Sequence, residues 1–83
     1  MKTTTSDRYA EILGGKKTRM SSFEACVTHV QALFPRAYAE GSTGYERTFW
    51  LGGELIGHAW PTNPRTTVLG AMWLRVRQDA AAS

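Results

Sequence analysis

Apolar and polar side chains alternate on both sides of a Gly52-Gly53 pair, so the run from Tyr45 to Trp60 reads as a β-hairpin. A two-residue Gly-Gly loop favours a type I′ or II′ turn, which places Leu51 opposite Glu54. An unbroken ladder then sets Trp50 against Leu55, Phe49 against Ile56, Thr48 against Gly57, Arg47 against His58, Glu46 against Ala59 and Tyr45 against Trp60. Both faces of this hairpin carry large apolar side chains. A half-buried sheet usually shows one apolar and one polar face, so one of the two is left over for binding.

Helical spacing appears before the hairpin. Phe23, Cys26, Val27, Val30, Leu33 and Phe34 fall on one stripe, Ser21 and Glu24 have capping-box spacing, and Pro35 stops the helix. Ahead of it, Ser6-Asp7 can cap a short helix through Tyr9, Ile12 and Leu13 that ends at Gly14-Gly15. Lys16 to Arg19 read as a solvated connector. Three strands at about 36–40, 45–51 and 54–60 form an antiparallel meander, and Pro61 and Pro64 bar further pairing. Asn63-Pro64 then opens a closing helix to about Ala81, with Leu69, Met72, Trp73 and Val76 as its stripe. The expected fold is α+β, an αβββα order with a three-stranded meander and two main helices on one face. It forms one domain, 1–83, whose core is 21–81 and whose first 20 residues are a short helical, basic segment.

The choice of buried face follows from side-chain size. Ala37, Ala39, Gly57 and Ala59 allow helices to approach closely, which assigns the Trp50 and Leu55 face to the core. The opposite face then presents Tyr38, Tyr45, Arg47, Phe49, Ile56 and His58, together with Trp60, as a partner-binding surface in which an aromatic beside an Arg is the expected energetic centre. In the alternative, Phe49, Leu51 and Ile56 are the core and Trp50 and Leu55 face outward. The interface then lies around Trp50, Leu55 and the basic ends, with Arg75 and Arg77 as the next candidates.

Composition limits the function classes. Eighty-three residues make a single modest core, which favours interaction modules and inhibitors over enzymes. The 42% of hydrophobic residues places the chain among globular proteins. A single cysteine, Cys26, excludes an internal disulfide, and no apolar signal segment follows Met1-Lys2-Thr3, so a cytoplasmic setting is expected. No apolar run approaches the roughly 20 residues of a membrane span. The net charge is +3. Lys2, Arg8, Lys16, Lys17 and Arg19 make one end basic, Arg65, Arg75 and Arg77 the other, and Glu24, Glu40, Glu46 and Glu54 make the middle mildly acidic.

No catalytic constellation is legible. Cys26 lies in the helical stripe as a small core hydrophobe. His29 stands one turn away with no third polar group to orient it. One cysteine with His29 and His58 falls short of a zinc set. Neither an enzyme activity nor a cofactor or metal is expected.

The segments Phe34-Pro35-Arg36-Ala37-Tyr38-Ala39-Glu40, Trp50 to Ala59 and Ala71-Met72-Trp73 together resemble a pattern seen in very small phage-encoded proteins. Some of these are similar to anti-CRISPR proteins that inhibit type I (Cascade) effectors. The likeness departs at 61–65, where the link is longer and the expected Thr is displaced to Thr62. No functional residue carries over. The resemblance implies a stoichiometric inhibitor that docks on a host CRISPR effector complex, in the bacterial cytoplasm, and blocks DNA binding or nuclease recruitment. The other reading is a small nucleic-acid-binding module in which Tyr38, Tyr45, Phe49 or Trp60 stack on bases while Arg36, Arg47 and Lys16 meet phosphates. Either is compatible with a monomer or with a homodimer joined through the open sheet face.

Overall fold

A computed structural model describes residues 5–41, 46–63 and 70–77. Its elements are α1 (Thr5–Leu13), β1 (Thr18–Met20), α2 (Phe23–Leu33), β2 (Tyr38–Gly41), β3 (Arg47–Leu51), β4 (Glu54–Pro61) and β5 (Met72–Val76). The protein is α+β. Among the described residues five strands form one antiparallel sheet in the order β1-β5-β4-β3-β2.

Local signals set the helices and the turn. Gly14 ends α1 with a φ of 70°, and its N–H donates to the Ala10 carbonyl at 2.8 Å. Only a residue without a Cβ adopts that conformation cheaply. Ser22, one residue later than expected, is the N-cap of α2, its hydroxyl accepting from the Ala25 N–H at 3.1 Å. Phe34 closes the helix just before Pro35. Gly52 and Gly53 have φ of 58° and 82°, the two positive values of a type I′ turn, and Leu51 pairs with Glu54.

Beyond Trp50–Leu55 the ladder slips. Phe49 pairs with Gly57, Thr48 with His58 and Arg47 with Ala59, so the expected pairings of Phe49 with Ile56 and Arg47 with His58 do not form. Ile56 is the extra residue of a β-bulge on β4, and a bulge of one residue exchanges the faces of everything beyond it.

The expected closing helix does not form over 72–76, and its two ends fall outside the described residues. Met72, Leu74 and Val76 share one face of a strand, with Met72 and Leu74 buried, while Trp73 and Arg75 share the other. The strand adds to β4 through pairs such as Ala59↔Leu74 and Trp60↔Trp73. Pro61 terminates β4 opposite Met72, a position where a missing N–H does little harm. β1 pairs with β5, so the basic connector contains an edge strand. Its side chains are mostly exposed, and its backbone hydrogen bonds, which hydrophobic pattern does not report, are what place it.

The two helices lie on opposite faces, contrary to the single-face expectation. α2 carries the chain from the β1 edge to the β2 edge. Its 11 residues span about 16 Å, close to the width of five strands at about 4.8 Å spacing. Beneath it Cys26, Val30 and Phe34 meet Ala37, Phe49, Ile56, Ala59, Met72 and Leu74 in the core. Gly57, beside Phe49, gives the core a close backbone approach. On the other face α1 packs over β4 and β5, with Tyr9 against His58.

Candidate interaction face

Cross-strand partners share a face, and the register therefore puts all three tryptophans on the α1 side. Tyr38↔Trp50↔Leu55 is one row, Glu40↔Thr48↔His58↔Arg75 the next, and Trp60↔Trp73 the third.

The middle row is polar, buried at its centre and exposed at Glu40. His58 and Thr48 are enclosed. His58 Nε2 lies 3.0 Å from Glu46 Oε1, and its ring stacks on Trp60 at 4.8 Å and meets Tyr9 edge-on at 4.4 Å. Burial pulls the imidazole below its ordinary pKa of 6.5. The Arg75 charge acts in the same direction, and the Glu46 hydrogen bond and charge act against it. His58 Nδ1 and Arg75 Nε find no hydrogen-bond partner among the described residues. Thr48 holds its neighbour in place, since its hydroxyl donates to the Glu40 carbonyl at 3.2 Å and accepts the Trp50 Nε1–H at 2.8 Å.

The third row is capped by the segment following α1. Lys17 Nζ sits 4.3 Å above the Trp73 ring. Arg75 lies 5.9 Å from the Trp60 centroid, and its Nη1 donates to the Gly15 carbonyl at 2.9 Å. Cation–π contacts of this kind contribute roughly 0.5–1 kcal/mol each at partly exposed sites.

The first row is the open one. Tyr38 is 52% exposed, and Trp50 and Leu55 are half-buried. This is the alternative face assignment, with Trp50 and Leu55 outward. Phe49 and Ile56 were expected on an open surface and are instead 1% exposed beneath α2, where Phe49 stacks on Phe23 with centroids 6.3 Å apart. His58 is enclosed on the opposite side. Arg47 lies half-buried on the α2 face, its guanidinium 5.5 Å from the Phe23 centroid and its Nη1 donating to the Glu46 carbonyl at 2.9 Å. Arg77 pairs with Glu54 at 2.8 Å. Tyr45 falls outside the described residues. Of the expected set, Tyr38, the enclosed His58 and Arg75 are the described members that stand beside the tryptophans. Trp73 and Glu46 were missed as site residues, and the alternation of Met72, Leu74 and Val76 was the available signal for Trp73.

Cys26 is buried, and burial pushes its thiol up to about 11. An un-ionised, enclosed thiol is a poor nucleophile. Among the described residues no group of three or more His, Cys, Asp or Glu side chains is placed to hold a metal ion, and no helix is long and apolar enough to cross a membrane.

Compared with protein-family models, with curated proteins and with solved structures, the chain finds no match in any of the three.

Proposed function

We propose that this chain is a non-enzymatic protein-binding module that works through the row Tyr38, Trp50 and Leu55. The observation that carries the reading is the placement of an exposed tyrosine, a hydrogen-bonded tryptophan and a leucine as adjacent cross-strand neighbours at the less covered end of the sheet. Aromatic anchors held rigid before binding lose little entropy on docking and dominate interface energies. The resemblance in residues 34–40, 50–59 and 71–73 makes a type I CRISPR effector complex the proposed partner, with target DNA binding or nuclease recruitment as the step blocked.

A nucleic-acid role draws less support from this face. Base stacking needs free ring faces, whereas Trp60 is stacked on His58 and Trp73 lies under Lys17. The deciding experiment is size-exclusion co-elution with a purified type I effector, paired with a target-DNA binding assay of that effector. Co-elution and loss of DNA binding, both abolished by Trp50→Ala, are expected. Absence of co-elution together with steep, salt-sensitive binding of the free chain to nucleic acid overturns the reading.

A further inference from the structure

On the other side of the sheet, between the C-terminal half of α2 and the β1–β5 edge, lies a cavity of about 310 Å³. Leu33, Leu74 and Val76 supply its apolar wall, and Lys16, His29 and Arg77 surround it with basic side chains. Among the described residues no carboxylate lines it. The pairing Thr18↔Leu74 explains the grouping, because continuing that antiparallel register by two residues brings Lys16 beside Val76. Leu33 is 41% exposed although it lies on the core stripe of α2, as a residue overhanging unfilled space must be.

We infer that this cavity binds a small amphipathic anion, a carboxylate or phosphate head on a short hydrocarbon body. The volume is at the lower end of ligand pockets, roughly 300 Å³ and upward. An apolar wall with a few polar groups is the usual construction of such sites. Here the polar lining is the neutral Thr18 hydroxyl and the basic side chains of Lys16, His29 and Arg77, so a charged head that pairs with the site is negative. Glu54, which pairs with Arg77 at 2.8 Å, is itself 69% exposed and does not line the cavity. The site does not depend on the tryptophan face and stands or falls independently of it.

The test is an amide chemical-shift titration of the full chain with hexanoate, hexyl phosphate and hexanol. Saturable shifts centred on Lys16, Thr18, Leu33 and Val76 are expected with either anion, and whichever binds more tightly identifies the head group. Hexanol should bind at least about tenfold more weakly, since it forfeits the charge-assisted contact. Lys16→Ala should weaken anion binding at least about fivefold with an unchanged melting temperature, because Lys16 is exposed. His29→Gln, also at an exposed position, provides a second variant. Equal binding of hexanol, shifts centred elsewhere, or no saturable shift with either anion overturns the inference.

Discussion

Gly57 lies opposite Phe49, and a Cβ built on Gly57 would stand 3.2 Å from Phe49 Cδ2 and 3.4 Å from the Arg75 carbonyl oxygen. The bulge at Ile56 delivers Gly57 to this position and lets the Phe49 ring lie against backbone between β3 and β5. Neither neighbour can retreat, one being core and the other strand backbone.

Gly57→Ala should therefore destabilise the domain by about 1–3 kcal/mol through overpacking, less the roughly 0.4–1 kcal/mol that a less flexible unfolded chain returns. Urea denaturation midpoints measure the difference. A stability gain would show that the Phe49–Gly57 contact is not tight.

Phe49 and Trp50 are sequence neighbours on opposite faces, and their alanine variants should separate stability from binding. Phe49→Ala should cost about 3–5 kcal/mol, a large share of the stability of a domain this size. Tyr38→Ala should stay within about 0.5 kcal/mol because the side chain is exposed, yet weaken partner binding along with Trp50→Ala. Circular dichroism melts beside a binding assay make the comparison.

Stability should fall on acidification. His58 is held below its ordinary pKa of 6.5 by burial beneath Tyr9 and Trp60 and by the Arg75 charge, against the opposing pull of Glu46. As pH drops through 6.5 the unfolded chain takes up a proton that the native state refuses, so unfolding becomes easier. The loss continues until pH reaches the depressed native pKa and then levels. The urea midpoint should decline from pH 7.5 to 5.5, and His58→Gln should remove most of that slope.

Cys26 should react with thiol reagents only when the domain opens. Its thiol is fully buried and raised to about 11, so alkylation at neutral pH should be slow in buffer and fast in denaturant. Mass spectrometry of the labelled fraction reads this directly. Rapid native labelling would contradict the enclosed position in α2.

The sequence alone determined the parts that a residue and its near neighbours decide. Serine capping and Pro35 bracket α2, Gly14 ends α1, and two glycines at positive φ build the turn that joins β3 to β4. The presence of two large apolar hairpin faces was equally legible, and so was the pairing of Trp50 with Leu55. Tertiary structure decided the rest. Residues 72–76 satisfy helical spacing and strand alternation alike, and the free edge of β4 selected the strand by supplying hydrogen-bond partners. The segment 18–20 has no apolar pattern and became a strand because β5 offered it an edge. Packing against α2 buried Phe49 and turned Trp50 outward, and the bulge at Ile56 decided which β4 residues share each face, putting Gly57 and Ala59 with Phe49, and His58 and Trp60 with Trp50. Caps and turns are local bonds, whereas strand identity and facing depend on backbone partners distant in the chain, and those partners exist only once the sheet has formed.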